Sequence, residues 1–407
     1  MPGDVRPLSE EHLREVVAYA IAANEPLEVR GLGSRRGFGR PVHAKGTIDL
    51  SGFTGVSLYE PEELVMVAGA ATPLAEVEAT LKQRGQQLAF EPPRLGRFFG
   101  RPDQDGSIGG IFACNLAGPR RFKAGAARDH LLGFRGVSGR AEIFKGGGRV
   151  MKNVTGYDLC KLMAGSFGTL TALTEVTFKV LPAPEKLRTV LALGLTADQS
   201  VQALAAAAGS PHEVSGLSYL PAAIAAESTV DFVRDAGTSV TAIRVEGPGP
   251  SVAYRTEALR RMLAGQGSGQ EELHTGRSDS FWAEVRDVAP LLGRDRPVWR
   301  LSVTPGLGGS LLDRLCRDLG ADGYLDAAGG TVWLAVDAKL ADGGAAAIRA
   351  ALGPGGHATL LRGPDGLRSR IEVFQPQPGP VAALTRRIKE GFDPKGVLNP
   401  GRMYDGV

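Results

Sequence analysis

Cysteine is scarce in this chain. Only Cys114, Cys160 and Cys316 occur in 407 residues, too few and too scattered for a disulfide framework, an iron–sulfur cluster or a zinc site built within the chain. Any electrons passing through it must therefore go to another protein. Long hydrophobic runs are also missing: residues 201–208 are short and alanine-rich, far below the ~20 residues a membrane helix needs. Charge of one sign is not in excess, since 47 Lys+Arg against 44 Asp+Glu leave +3, and a nucleic-acid partner is not indicated. Residues 1–15 are polar and acidic, without a basic stretch leading into an apolar one, so no signal peptide is expected and the cytoplasm is the expected location.

What is abundant is glycine, 56 residues in all, in clusters that mark tight turns or close approach of backbone to a ligand. Leu13, Val16, Val17, Ala20 and Ile21 behind Ser9 predict a surface helix over 10–23. A strand over 26–30 then runs into Gly31-Leu32-Gly33-Ser34-Arg35-Arg36-Gly37-Phe38-Gly39. Strands over 47–50 and 64–68 and a helix over 74–84 follow without a regular βαβ order. Residues 103–121 are rich in Gly, Ala, Ser and Pro and show no helical period, which predicts an irregular, ligand-wrapping segment. A hairpin or meander is expected over 131–137 and 141–144, after which residues 159–164 and a strand over 174–181 close the region. Pro182-Ala183-Pro184 then marks a boundary. Beyond it, residues 247–250 and 265–269 are expected to be surface loops, while strands over 298–303 and 331–336 and helices over 311–319 and 345–352 predict a second α+β domain.

Gly31-x-Gly33-x-x-x-Gly37 follows a strand, yet its spacing is not that of a dinucleotide fingerprint, and Phe38-Gly39-Arg40-Pro41 cannot open a helix, so a Rossmann unit is excluded. What remains is a glycine loop whose N–H groups cradle an anion, with Arg30, Arg35 and Arg36 to neutralise a pyrophosphate. Residues 105–110 (Asp-Gly-Ser-Ile-Gly-Gly) offer further donors and a hydroxyl, 113–118 are small enough for a planar ring to lie against them, and Gly165-Ser166-Phe167-Gly168-Thr169 forms a third loop of the same kind. All three are expected to converge on one ligand. The turns at 393–396 and 399–401 fix the chain end in a non-helical shape, which makes Asn399 and Arg402 candidates for contact with that ligand.

These residues resemble the vanillyl-alcohol-oxidase-type FAD-binding family and, within it, the E subunits of bacterial glycolate oxidases. The resemblance rests on 29–35, on Glu91-Pro92-Pro93 with Gly106-Ser107-Ile108-Gly109-Gly110, and on Cys114-Asn115-Leu116-Ala117-Gly118-Pro119-Arg120-Arg121. It continues through 150–159 (Val-Met-Lys-Asn-Val-Thr-Gly-Tyr-Asp-Leu), the 165–170 loop and 392–404. It implies an α+β fold: a two-subdomain FAD-binding domain over 1–182, split near residue 52, an α+β cap over 183–391, and a tail over 392–407 returning to the first domain. It implies FAD held by Arg30, Gly31, Gly33, Ser34 and Arg35 at the pyrophosphate, by Gly106, Ser107, Ile108, Gly109, Gly110, Ala113, Asn115 and Gly118 along pyrophosphate and flavin, and by Gly168, Thr169 and Leu170 near the adenine half. Asn399 and Arg402 are then candidates for tuning the flavin. Ser34 stands where covalently flavinylated relatives carry histidine, so the FAD is expected to be noncovalent, and Cys114 is expected to pack rather than to attach it.

The resemblance further implies oxidation of glycolate or D-lactate to the 2-oxo acid. Its expected partners are a larger catalytic flavin subunit and an iron–sulfur subunit, through which any membrane attachment is made. A stand-alone hydroxy-acid or alcohol dehydrogenase and a noncatalytic assembly subunit are the alternatives. Oxidising a hydroxy acid requires a base for the hydroxyl proton and a cation for the carboxylate. No two of His12, His43, His130, His212, His274 and His357 lie at metal-ligand spacing, so no metal site is expected. His357, in a glycine-rich loop, and Arg362 close behind it are the catalytic candidates.

Overall fold

The computed structural model describes residues 3–149, 156–293 and 295–407. The 150–155 portion of the family resemblance lies outside them. The chain divides into two units, one formed by Met1–Ala117, Gly125–Ala183 and Glu372–Val407, the other by Gly118–Ala124 and Pro184–Ile371.

The first unit begins with a helix, Glu10–Ala23, where expected: the Ser9 hydroxyl caps it by accepting the His12 N–H, and Asn24 closes it in a left-handed conformation. Its buried face of Leu13, Val16, Val17 and Ala20 packs with Ile48 and, from far along the chain, Val397 and Leu398. Strands β1 (Gly3–Val5), β2 (Leu27–Arg30) and β3 (Gly46–Asp49) form a small parallel sheet in the order β1-β3-β2. A turn of 3-10 helix, Leu50–Gly52, leads out of that sheet. Then come β4 (Val56–Glu60), β5 (Val65–Gly69), β6 (Gln86–Gln87), β7 (Leu131–Ser138), β8 (Ile143–Gly147), β9 (Thr171–Lys179) and β10 (Leu181–Pro182). Strands β4-β5-β9-β7-β8 make an antiparallel sheet, with β6 and β10 paired separately. Met66, Leu74, Phe90, Phe112 and Phe178 anchor its core.

Two expectations about this unit are corrected. Residues 103–121 are not uniformly irregular: Ile108–Cys114 is a helix, capped by Ser107 and closed by Asn115 in the left-handed region. Its glycines hide it from a periodicity search, and it holds because Ile108, Ile111 and Phe112 are fully buried while Gly109 presses on Ala70, where a Cβ would come within 2.6 Å of the Ala70 carbonyl oxygen. The chain also returns to this unit at Glu372 rather than at 392. The reason is the helix Gly379–Phe392, whose Lys389 is buried and donates to the Thr169 carbonyl (2.7 Å), the Leu398 carbonyl (2.9 Å) and the Asp393 carboxylate (2.7 Å).

The second unit is built on strands β11 (Lys186–Leu193), β12 (Gly216–Leu220), β13 (Val240–Gly247), β14 (Gly269–His274), β15 (Val298–Ser302), β16 (Asp322–Asp326), β17 (Thr331–Ala335) and β18 (His357–Arg362). They form one antiparallel sheet in the order β14-β11-β13-β12-β16-β17-β15-β18. Residues 247–250 do not form a free loop, because Gly249–Met262 is a helix with Pro250 in its first turn, where a missing N–H costs no hydrogen bond.

Candidate functional site

A cleft lies wholly within the first unit. The glycine loop after β2, the Ser107 helix, the 166–168 loop and the tail converge on it through Arg30, Gly31, Gly33, Ser34, Arg35, Ser107, Gly109, Gly110, Ala113, Gly168, Asn399 and Arg402. Glu28, Val29, Leu32, Arg36, Leu50, Ala70, Cys114, Ser166, Phe167, Thr171 and Leu173 complete the lining. Small residues directly after β5, Gly69-Ala70-Ala71, were the sequence signal for Ala70.

The remaining six cofactor candidates do not line the cleft. Ile108 and Leu170 are in the core and Thr169 is buried, its hydroxyl donating to the Ser166 carbonyl. The Asn115 side chain accepts the Arg128 N–H. Gly106, at φ +93°, lets the chain pass where a Cβ would sit 2.0 Å from the Arg35 guanidinium. Gly118 belongs to the second unit.

Donors are divided unevenly among the loops. The Ile108 and Gly109 N–H groups are taken by the Thr72 and Ala70 carbonyls, at 3.0 and 2.8 Å, and that of Gly110 by the Ser107 hydroxyl. The 105–110 loop therefore offers the ligand fewer backbone donors than its composition predicts. By contrast, the N–H groups of Leu32, Gly33, Ser34 and Arg35 make no hydrogen bond within the described residues.

The three arginines around the loop differ in the same way. Arg30 faces Asp4 at 3.2 Å and Asp49 at 3.6 Å, and Arg36 is bound to Glu28. Arg35 is buried and donates only to the Ser34 hydroxyl (3.1 Å) and the Pro93 and Asp105 carbonyls (3.4 and 2.9 Å), none of which cancels its charge. Its Nε–H is buried with no partner among the described residues. Burial lowers its proton affinity, opposed by Cys114 and Asp105. Four free amides beside an uncancelled guanidinium with an orphaned N–H are the donor set an anionic pyrophosphate needs. Burial pushes the Cys114 thiol up against the pull of Arg35 and Arg402, consistent with a neutral packing residue.

The tail braces this cradle. Asn399 accepts the Val29 N–H at 2.8 Å and donates to the Phe167 carbonyl at 2.9 Å. Arg402 donates to the Arg35 carbonyl at 2.9 Å and lies 3.9 Å from Glu28, so both tail candidates reach the cleft while holding its walls. Phe167, at φ +55°, stacks edge-on against Phe38 and Phe374.

His357 and Arg362 lie in the second unit, at the two ends of edge strand β18 rather than in a loop. Five residue steps along the strand separate them by roughly 16 Å. Arg362 donates to the Leu291 and Arg296 carbonyls, both at 3.3 Å. The structure therefore does not assemble them into one site. Among the described residues no cluster of His, Cys, Asp or Glu suits a metal ion, and no helix is long and apolar enough to cross a membrane.

Residues 2–147 match the FAD binding domain family. The fold is that of p-cresol methylhydroxylase with substrate bound, with a TM-score of 0.72 over 99% of this chain and 88% of that one at 15% identity. The family match and the fold together define an FAD-binding protein with an α+β second domain. The chain is 35% identical over 398 residues to glycolate oxidase subunit GlcE of Escherichia coli (strain K12), covering 96% of both chains. A D-lactate dehydrogenase of Archaeoglobus fulgidus is 28% identical over 189 residues, 46% of this chain and 40% of that one. The chain belongs to the GlcE family of glycolate oxidase subunits, and its cofactor is FAD.

Proposed function

We propose that this chain is the FAD-binding subunit of a glycolate oxidase complex, taking part in oxidation of glycolate or D-lactate to the 2-oxo acid and passing electrons to partner subunits. The reading is carried by one observation: the donor set of Leu32–Arg35, with the unpartnered Arg35 Nε–H, matches a pyrophosphate in a chain that aligns end to end with a glycolate oxidase subunit. Bound FAD supplies a two-electron acceptor for the C–H bond of the hydroxy acid.

The chain's own residues hold and orient that cofactor. The 32–35 amides and Arg35 take the pyrophosphate, the Ser107 hydroxyl adds a donor, and the small residues Ala70, Gly109, Gly110 and Ala113 let a planar ring approach the backbone. Ser34 in the loop and a neutral Cys114 make the attachment noncovalent. His357 serves as the base for the hydroxyl proton. A larger flavin subunit and an iron–sulfur subunit are the expected partners, because three separated cysteines provide no cluster site here.

The test is to purify the chain alone, record its visible spectrum, and add glycolate or D-lactate without oxygen. A flavin spectrum that bleaches is expected. A flavin that stays oxidised until a partner is added makes the chain a relay subunit, and a folded chain without flavin refutes the proposal.

A further inference from the structure

One row of side chains crosses four neighbouring strands of the second unit. The register sets Thr359 of β18 beside Arg300 of β15, Arg300 beside Trp333 of β17, and Trp333 beside Tyr324 of β16. Directly opposed residues share a face of the sheet. The alternate residues, Trp299, Leu301 and Leu334, are fully buried on the other face, with the Trp299 Nε1–H bonded to the Gly343 carbonyl at 2.8 Å.

The polar row has donors to spare. The Arg300 guanidinium lies 5.8 Å from the centre of the Trp333 ring and makes no hydrogen bond among the described residues. The Trp333 Nε1–H is buried and has no partner among the described residues. A second guanidinium, that of Arg121, acts on Arg300: burial and this like charge pull Arg300 down to about 10, against the opposing pull of Asp326. Asp326 is itself engaged in capping the next turn, accepting the Ala327 N–H at 2.7 Å.

A guanidinium without a hydrogen bond and an orphaned indole N–H are donors that a small anion satisfies.

We propose that Arg300 and the Trp333 indole N–H form a binding site for a small carboxylate, which is the carboxylate end of the 2-hydroxy acid. The last clause rests on the functional reading above; the anion site itself does not. His357 pairs with Ser302, two residues from Arg300 on the same face, a distance of about 7 Å along the strand. Arg300 rather than Arg362 is thus the cation nearest in register to the candidate base.

The experiment is calorimetric titration of the full FAD-loaded chain with glycolate, acetate and oxalate, repeated on Arg300→Gln, Arg300→Lys, Trp333→Phe and Arg362→Gln, with far-UV circular dichroism to verify folding. Arg300→Gln is expected to weaken carboxylate binding about tenfold or more, since hydrogen bonds to a charged group are lost. Trp333→Phe should weaken it less, Arg300→Lys should recover part of it, and Arg362→Gln should leave it unchanged. Glycolate binding that survives Arg300→Gln overturns the site while leaving the hydroxy-acid reading intact. Binding of acetate and oxalate but not glycolate, lost in Arg300→Gln, upholds the anion site and overturns the hydroxy-acid assignment. No carboxylate binding by the folded chain overturns the site.

Discussion

The side-chain oxygen of Asn399 accepts the backbone N–H of Val29 at 2.8 Å, across 370 residues of sequence. Through its Nδ2 the same amide donates to the Phe167 carbonyl at 2.9 Å, so one residue of the tail fastens two walls of the cofactor cleft. Asn399→Ala removes both bonds, and its φ of +44° is one that asparagine tolerates and alanine resists. An unpaired buried polar group costs about 1–3 kcal/mol. FAD affinity, read by flavin fluorescence titration, is expected to fall at least about tenfold, with Asn399→Asp intermediate because it keeps the acceptor for Val29. Wild-type affinity in Asn399→Ala would show that the tail packs without shaping the cleft.

Gly106 sets a steric limit on the same cleft. Its φ of +93° and the Arg35 guanidinium 2.0 Å from an added Cβ mean that Gly106→Ala must displace Arg35 or distort the turn. Strain of this kind costs about 2 kcal/mol or more. The purified variant should carry less FAD than wild type and melt at a lower temperature in the cofactor-free form. Gly148→Ala, with nothing within 4 Å of the added Cβ, is the control that should do neither.

The legible parts of this protein were those whose causes are local. Ser9 and the 13/16/17/20 spacing produced the first helix, two segments flanking Ser138-Gly139-Arg140 produced β7 and β8, and the glycine run after Arg30 located the cradle. The Ile108–Cys114 helix was hidden because its cap works only with Ser107 in place and its glycines serve contact with Ala70 rather than helix propensity. His357 looked like a loop residue because Gly355 and Gly356 precede it, whereas pairing with Ser302 draws it into β18. Which N–H groups stay free was equally invisible, since the Ile108 and Gly109 donors are consumed by Thr72 and Ala70. The row of Arg300 and Trp333 depends on strand register, which a 33-residue separation in sequence does not announce.

Arg35 is the cation of the cleft whose charge no carboxylate contacts directly. Arg35→Gln is expected to weaken FAD binding about tenfold or more and to flatten its dependence on salt, because the charge that salt screens has gone. Arg30→Gln, which removes a residue facing Asp4 and Asp49, should have the smaller effect. Equal losses in the two variants, with equal salt dependence, would contradict the division of labour inferred from their partners.

Glu246 predicts how the second unit responds to acid. Burial alone would raise its carboxyl, but the charge of Arg244 and the hydrogen bonds and charge of Arg120 outweigh it and hold the group at about 2 instead of the ordinary 4.5. A folded-state value below the unfolded one gives stability that is present above about pH 4.5 and is lost as pH falls towards 2. At 1.36 kcal/mol per unit the difference amounts to roughly 3 kcal/mol. All three tryptophans, Trp282, Trp299 and Trp333, belong to the second unit, so urea unfolding followed by tryptophan fluorescence reads that unit directly. Glu246→Gln should be less stable than wild type at pH 7, and the two curves should converge as pH approaches 2, since the wild-type carboxyl is then protonated. Curves that stay parallel from pH 7 to 2 would mean that the Arg120–Glu246–Arg244 cluster does not govern acid stability.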